Sequence, residues 1–316
     1  MPGALSYNPR GPGFSISADA VMPTITVTAT LSGVTVDPRS PPVYTWNATL
    51  TFNGSVTPHG NGRTTAHRAI APQIGPSNSF VIQFTEVRGR VLTVSVSVRV
   101  GTNVLTAQST GLTIVRTNPT PIAIKTLANA IGATRVRFRK QLRQESGLRQ
   151  FTANGWPQYS SDNKGGVGLC QLTNPAPTAD QTWDWEANLR RGWALFLEKE
   201  AYARPYPSQV RTSVEFIALV AAWNRARLPA PPVAVSLPEF TADQLELDTI
   251  RGFNGYGAPR LHEFRVRRAP IGGLLIVTLA PNGQTGTAEW ERVPVNERGT
   301  SGDPNYVNKV EAQADF

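Results

Sequence analysis

The spacing of apolar residues changes once along this chain, and that change limits the fold more than any other feature. From Phe14 to Val115, apolar and polar residues alternate, as in β-strands with one buried face. After the segment RTNPTP, residues 116–121, apolar residues recur every three or four positions, as in α-helices. The two prolines of this segment favour a break, because proline continues neither a central strand nor a helix. We therefore predict two domains, residues 1–118 and residues 119–316.

The first domain is predicted to be an all-β sandwich of the Ig-like kind. Comparable alternation occurs in TITVTATLSG, YTWNATLTFNG, FVIQFTEVRG, RVLTVSVSVRVG and GLTIV. About seven short strands separated by Gly, Pro and Asn, with a tryptophan on an early strand, are typical of this sandwich. The sequence shows no catalytic grouping in this region, so we interpret the domain as an attachment or spacer module. In YTWNATLTFNG, the residues expected to be buried are Tyr44, Trp46, Ala48, Leu50 and Phe52.

The second domain is predicted to be mainly α-helical. One long helix is expected first, because its apolar residues lie three or four positions apart. Further helices are predicted over residues 181–201, 210–223 and 242–252. The apolar face of the first helix consists of Ile124, Leu127, Ile131, Phe138 and Leu142, with Thr134 filling the gap.

Two helix starts and one hairpin can also be predicted. The tetrapeptide Thr-Ala-Asp-Gln occurs at residues 178–181 and again at residues 241–244. Each is a capping-box pattern, with threonine at the N-cap and glutamine three residues later. The turn Pro281-Asn282-Gly283 predicts a β-hairpin. It would belong to a β insertion at about residues 266–302.

The composition excludes several classes of protein. The formal charge of +9 suits a polyanionic neighbour, but no dense basic run with interleaved aromatic residues predicts a nucleic-acid partner. The single cysteine, Cys170, excludes an internal disulfide and a cysteine-cluster metal site. The three histidines lie far apart in sequence, so we predict neither a metal nor a cofactor. No apolar run approaches the roughly 20 residues of a membrane span, and no Sec signal pattern is visible at the N-terminus.

Glu145 occupies the next position on the apolar face of the first predicted helix. A carboxylate there is costly to bury unless it is paired, hydrogen-bonded or protonated. Apolar surroundings raise the pKa of a carboxyl group, which is what a general acid near neutral pH requires. The alternative is a surface residue at the helix end, near Arg143 and Arg149. Both interpretations remain open on periodicity alone.

The glycine-rich segment KGGVG, residues 164–168, suggests a phosphate-binding loop at first sight. Such a loop requires Lys and Ser or Thr directly after its last glycine, to reach phosphates and Mg²⁺. Here Leu169 and Cys170 follow Gly168. The preceding residues, WPQYSSDN, do not form a buried strand pattern either. We therefore do not predict a nucleotide site.

Together with Glu145-Ser146-Gly147, the segment GVGLCQLT, residues 166–173, resembles the lytic transglycosylases of the soluble (SLT) type. These are lysozyme-like enzymes that cleave peptidoglycan. Their pattern is Glu-Ser, then Gly-x-Gly-Leu-x-Gln, then a helix with Asn and Gly four residues apart. Asn188 and Gly192 have that spacing here. The resemblance covers roughly residues 122–310.

Phage-type members of this family add an aromatic-Asn-Gly segment and, later, Tyr-Val-x-x-Val. Phe253-Asn254-Gly255-Tyr256 and YVNKV, residues 306–310, are similar to these elements. The chain departs from the family in having Cys170 where methionine is frequent, and Phe253 where a tyrosine is usual. Tyr256 or Trp223 could supply the missing hydroxyl or aromatic group.

The resemblance implies a lysozyme-like second domain and a reaction with one catalytic glutamate. Glu145 would protonate the glycosidic oxygen between N-acetylmuramic acid and N-acetylglucosamine, then act as base toward the 6-hydroxyl of the sugar. The product would be a 1,6-anhydro ring. Ser146 would orient the Glu145 carboxyl group. The saccharide would be bound by Gly166, Gly168, Gln171, Phe253, Asn254, Tyr256 and Tyr306.

Two other functions remain open. A hydrolytic muramidase on the same bond would use a second acid such as Asp162, with Asp180, Asp184 and Glu186 as further candidates. A non-enzymatic assembly or adhesion protein would only bind glycan.

The expected partner is bacterial peptidoglycan. The first domain would dock to a phage tail or injection apparatus, or to a related contractile secretion system, or it would recognise the cell envelope. The protein would act at the periplasm or cell wall. Release as an intracellular endolysin through a holin is the alternative.

Overall fold

The computed structural model describes residues 3–8, 13–17, 19–56, 63–109, 111–160, 165–254, 262–298 and 302–316. The chain is multidomain and contains both sheet-rich and helical regions. It divides into two compact units, each made of two chain segments. The first unit comprises residues 1–132 and 145–192, and the second comprises residues 133–144 and 193–316. The domain boundary after residue 118 stays a prediction.

The first unit contains two sheets. One is antiparallel, with β3 between β1 and β6: β1 Ala4–Asn8, β3 Ile25–Ser32 and β6 Ser79–Ile82. The larger sheet has the order β2-β9-β7-β4-β5, and β8 also pairs with β7. Its strands are β2 Phe14–Ile16, β4 Val43–Val56, β5 Arg63–Gly75, β7 Arg90–Val100, β8 Asn103–Gln108 and β9 Leu112–Arg116.

The two sheets share one hydrophobic core, which we call the two-sheet core. Trp46 of β4 lies at its centre, with its ring stacked on Phe80 of β6 at a centroid distance of 5.8 Å. The indole nitrogen of Trp46 donates to the carbonyl of Ser77 at 3.2 Å, so its one polar atom is satisfied. The prediction for this strand is confirmed, since the buried residues include Tyr44, Trp46, Ala48, Leu50 and Phe52.

Four strands of the first unit were not predicted from the sequence: β1, β2, β5 and β8. The longest of them, β5, lies at the edge of the larger sheet, and most of its residues are exposed. Among the described residues of this strand, only Ala66 and Ile70 pack, partly buried, against the core, so burial imposes little period-two alternation on its sequence.

The single long helix predicted after the proline segment is wrong. The structure has two helices, α1 Pro121–Ala130 and α2 Val136–Ser146. Gly132 follows the C-cap residue Ile131 of α1 and has φ +78°, a left-handed conformation that glycine adopts without strain and that commonly ends helices. The apolar spacing continues across the break, so periodicity alone could not reveal it.

The next predicted helix is also divided. Asp184 is extended, with φ −116° and ψ 113°, and separates α3 Ala179–Trp183 from α4 Trp185–Ala203. The capping box at the start of α3 is confirmed, because Thr178 and Gln181 exchange side-chain-to-backbone hydrogen bonds. Thr241 and Gln244 make the same exchange before α7, Ala242–Asn254.

The second unit packs short helices against small sheets. The predicted hairpin is present, with β12 antiparallel to β13. β10 also pairs with β13, in parallel, so the β structure begins before residue 266. In the part of the chain that the structure describes, no helix is long and apolar enough to cross a membrane. The elements are α5 Tyr206–Arg211, α6 Val214–Ala226, α8 Tyr306–Ala312, β10 Ala234–Ser236, β11 Phe264–Val266, β12 Val277–Leu279, β13 Thr285–Ala288 and β14 Trp290–Arg292.

A buried ion-pair network lies inside the second unit. Glu263 is fully buried, and its Oε1 accepts hydrogen bonds from Arg292 at 2.5 Å and from Arg298 at 2.6 Å. Burial raises the pKa of Glu263, while the two guanidinium groups oppose that shift. Arg298 also donates to the carbonyls of Val293 and Pro304, so it joins the end of the β region to the segment before α8.

Replacing Glu263 should destabilise the second unit strongly. Glu263→Gln leaves the buried guanidinium of Arg298 without its carboxylate, and breaking such a pair costs about 3 kcal/mol. Glu297→Gln is the control, because its exposed pair with Arg265 contributes less than about 1 kcal/mol. Equilibrium unfolding in urea measures both. Equal stability of the two variants would contradict the assignment.

Candidate active site

Glu145 lies in the last turn of α2, at the point where the chain passes from one unit to the other. Phe138 and Leu142, on the same helical face, are buried, and Glu145 itself is half-buried. Gly147 and Leu148 follow with φ +62° and φ +65°. Two successive left-handed residues turn the chain sharply, and the second is unfavourable for a non-glycine residue. Glu145 therefore lies just before a sharp and conformationally restricted turn of the backbone, and not at a free helix end.

Ser146, the last residue of α2, connects the end of this helix to the glycine-rich segment. Its hydroxyl donates to the carbonyl of Leu169 at 2.8 Å and accepts the backbone N–H of Arg149 at 3.2 Å. Ser146 is buried, so these bonds are shielded from water. The predicted role of Ser146, orienting the Glu145 carboxyl group, stays a prediction. The described bonds show Ser146 linking the backbone of Leu169 to that of Arg149.

The glycine-rich segment forms a tight, buried loop. Val167 and Leu172 exchange two backbone hydrogen bonds of 3.1 Å each, which closes residues 168–171 into a turn. Gly168 and Gln171 have φ +71° and φ +47°, so the loop uses two left-handed positions, one of them occupied by a non-glycine residue. Residues 166–170 are buried, and Gln171 is half-buried. The loop is therefore a rigid element of the first unit.

The two glycines make room for side chains of this protein. A Cβ atom at Gly166 would lie 2.7 Å from the side-chain oxygen of Gln171. A Cβ atom at Gly168 would lie 2.2 Å from the side chain of Gln150. The sequence predicted that bare backbone at both positions would contact sugar, and this role remains a prediction. The structure gives both glycines a packing requirement of their own.

Two buried amide side chains hold the loop from behind. Gln150 accepts the N–H of Leu169 at 2.8 Å and donates to the carbonyl of Thr182 at 2.9 Å. Asn188 accepts the N–H of Cys170 at 2.9 Å and donates to the carbonyl of Val167 at 3.1 Å. Both are fully buried, and buried amides stabilise a fold when both of their ends are satisfied. The backbone of the loop is thus held at three positions, Val167, Leu169 and Cys170.

Gly192 of α4 explains the second half of the Asn-x-x-x-Gly spacing. A Cβ atom at Gly192 would lie 2.2 Å from the sulfur of Cys170. The helix therefore contacts the loop closely because position 192 has no side chain. Asn188 and Gly192 lie one turn apart on α4: Asn188 binds the backbone N–H of Cys170, and Gly192 leaves room for its side chain.

Glu145 and the loop are electrostatically coupled. Burial raises the pKa of the Cys170 thiol far above its ordinary value, and the Glu145 charge raises it further. Ser146, which follows Glu145 in the chain, is hydrogen-bonded to Leu169 of the loop at 2.8 Å. Glu145, Ser146 and the loop therefore lie together within the first unit.

Gln171 uses its side-chain amide for a hydrogen bond within the loop. Its amide nitrogen donates to the carbonyl of Gly168 at 2.8 Å. Because the residue is half-buried, its remaining surface lies at the accessible side of the loop. A contact between Gln171 and a saccharide stays a prediction.

The other predicted saccharide-binding residues belong to the second unit. Phe253 and Asn254 are half-buried at the end of α7, and Asn254 donates to the carbonyl of Asp303 at 2.8 Å. Tyr306 is buried at the start of α8. Tyr256 lies outside the described residues. Trp223, the alternative to Tyr256, is half-buried in α6 with the guanidinium of Arg227 over its ring, 4.6 Å from the centroid.

Two of the four candidate second carboxylates, Asp180 and Asp184, form ion pairs with arginines. Asp180 pairs with Arg88 at 2.7 Å, and Asp184 pairs with Arg116 at 3.2 Å. Asp162 lies outside the described residues. Within the described ranges, no group of three or more His, Cys, Asp or Glu side chains could hold a metal ion.

Sequence reasoning missed Gln150 and Asn118, the residue that holds Gln150. Asn118 accepts the backbone N–H groups of Gln150 at 2.8 Å and Phe151 at 2.7 Å. Neither residue belongs to a recognisable motif or lies on an apolar stripe. Their role depends on the approach of segments distant in sequence, so no local signal could have identified them.

Comparison with known proteins found no matching family model, no matching curated protein and no matching solved structure.

The Cys170 thiol should be almost inert in the folded protein. The reactive species is the thiolate, and both burial and the Glu145 charge disfavour it. We expect labelling by a thiol reagent at pH 8 to be at least about tenfold slower in the native chain than in urea. Glu145→Gln should accelerate native labelling only slightly, because burial is the larger cause. Equal native and unfolded rates would contradict the described loop.

Proposed function

We propose that this protein is a peptidoglycan lytic transglycosylase with Glu145 as its catalytic residue. The observation that supports it best is the joining of Glu145-Ser146 to the glycine-rich loop, through the 2.8 Å hydrogen bond from Ser146 to Leu169. In sequence these elements resemble two separate motifs of that family. Their direct contact is what a shared active site requires.

The surroundings of Glu145 suit acid catalysis. Glu145 is half-buried at the end of an apolar helix face, and apolar surroundings in general favour the protonated form of a carboxyl group. It also remains partly accessible, as contact with a glycosidic oxygen demands. The loop beside it is fixed by Gln150, Asn188 and Ser146, so little reorganisation is needed when charge develops.

One carboxyl group is sufficient for the proposed reaction. Glu145 donates its proton to the glycosidic oxygen as the bond from that oxygen to C1 of N-acetylmuramic acid breaks. The resulting carboxylate accepts the proton of the 6-hydroxyl of the same sugar, whose oxygen bonds to C1. Glu145 ends protonated, and no water is consumed. The ion pairs of Asp180 and Asp184 with arginines make these two carboxylates less suited to act as a second acid.

The finer description of the fold is part of the same proposal. We propose an Ig-like arrangement for the two sheets and a lysozyme-like one for the helices around Glu145. Two sheets that share a core and a tryptophan stacked between them support the first. Delivery to peptidoglycan by a phage tail or a secretion machine follows from the resemblance to phage-type enzymes.

Mass spectrometry of digested peptidoglycan tests the proposed function. The intact protein should release muropeptides with 1,6-anhydro ends, and Glu145→Gln should release at least about 100-fold less, because acid–base catalysis of this kind contributes 100-fold or more. Glu198→Gln is the matched control, since it removes an exposed carboxylate from α4. It should leave the yield unchanged.

The other outcomes separate the alternatives. Reducing ends in place of anhydro ends would indicate a hydrolytic muramidase. Binding to peptidoglycan without release of fragments would indicate a glycan-binding protein. Equal activity of Glu145→Gln and the intact chain would refute the catalytic assignment.

A further inference from the structure

The segment that forms the candidate site is anchored in the two-sheet core. Trp183, the last residue of α3, is fully buried and belongs to that core. Its indole nitrogen donates to the carbonyl of Asn53 in β4 at 3.2 Å. A Cβ atom at Gly89 would lie 2.6 Å from the Trp183 ring, so the ring packs at a position where only glycine leaves enough room.

Arg116, at the end of β9, fixes the same segment by charge. Its side chain is fully buried, and its Nη1 donates to the carbonyl of Trp183 at 2.7 Å and to Asp184 at 3.2 Å. The guanidinium also lies over the ring of Phe151, 5.6 Å from its centroid. A buried charge is tolerated only when it is paired and hydrogen-bonded. Arg116 and the 151–184 segment therefore depend on each other.

Asn118 extends this anchor to the loop. Its side chain accepts the N–H groups of Gln150 and Phe151 and donates to the carbonyl of Phe151 at 2.8 Å. Gln150 in turn accepts the N–H of Leu169, and Ser146 donates to the carbonyl of the same residue. The connection from β9, the last strand of the sheets, to the loop beside Glu145 thus runs through only two side chains, those of Asn118 and Gln150.

We propose that the two-sheet core positions the candidate active site, with Asn118 as a positioning residue, and that the core and the loop unfold together. This differs from the attachment or spacer role predicted from sequence. The proposal rests on the proposed function where it concerns catalysis. The physical coupling itself can be tested without any activity.

Cys170 provides the probe, because it is the only thiol of the chain and lies buried in the loop. Its labelling rate in the full-length protein, below the urea transition, reports how often the loop opens. Leu50→Ala creates a cavity in the two-sheet core, and Leu237→Ala does the same in the core of the second unit. Both leucines are buried, so the substitutions are matched.

Leu50→Ala should accelerate Cys170 labelling by about 30-fold or more, the factor that corresponds to about 2 kcal/mol for a core Leu→Ala change. Leu237→Ala should change the rate less than about threefold. If Leu50→Ala weakens the sheets in urea without changing the labelling rate, the loop is independent of them and the proposal is overturned.

Asn118→Ala tests the positioning role more locally. It should accelerate Cys170 labelling about tenfold, because it leaves two backbone N–H groups without their acceptor. It should also lower kcat for peptidoglycan with little change in KM. Asn118→Asp keeps the oxygen that accepts both N–H groups but loses the donor to the carbonyl of Phe151, so it should restore only part of the loss. Asn129→Ala, at an exposed position of α1, should behave as wild type.

The two proposals fail in different ways. Coupled labelling in a protein that releases no muropeptides would refute the enzymatic function and leave the coupling intact. Normal labelling and normal kcat in Asn118→Ala would refute the positioning role, whatever the reaction is.

Discussion

The hydrogen bonds to Leu169 are the constraint on which the candidate site depends. Gln150 holds the N–H of this residue and Ser146 holds its carbonyl, so both sides of one peptide position are fixed by buried side chains. Ser146 adjoins Glu145, and Gln150 is held by Asn118 at the end of the sheets. A carboxyl group and a glycine-rich loop are thereby joined, through side chains, to a large hydrophobic core.

This arrangement changes the meaning of the motif residues. Gly166, Gly168 and Gly192 are required because Gln171, Gln150 and Cys170 fill the space that a Cβ atom would occupy. Asn188 supports the loop from α4. The glycines and the asparagine of the family pattern are therefore needed, before any contact with a ligand, to pack the loop in one rigid conformation. A contact with saccharide would involve the exposed sides of Glu145 and Gln171, as the proposed function requires.

Local patterns predicted the parts of the fold that local forces determine. The alternation around Trp46 and the capping boxes at Thr178 and Thr241 are confirmed because burial and capping follow directly from residue type and spacing. The break at Gly132 was missed because the apolar spacing continues across it, and the strand β5 was missed because its largely exposed sequence lacks the period-two alternation. The proximity of Glu145 to the loop was expected from the family resemblance, whereas the anchoring by distant side chains left no pattern in the sequence.

We propose that a single carboxyl group, that of Glu145, cleaves the glycan without water. Digestion of peptidoglycan in water labelled with heavy oxygen, followed by mass analysis of the new sugar ends, tests it directly. We expect fragments that contain no heavy oxygen, because the ring would close through the 6-hydroxyl of the sugar itself. Incorporation of one heavy oxygen atom at each cleaved bond would contradict it.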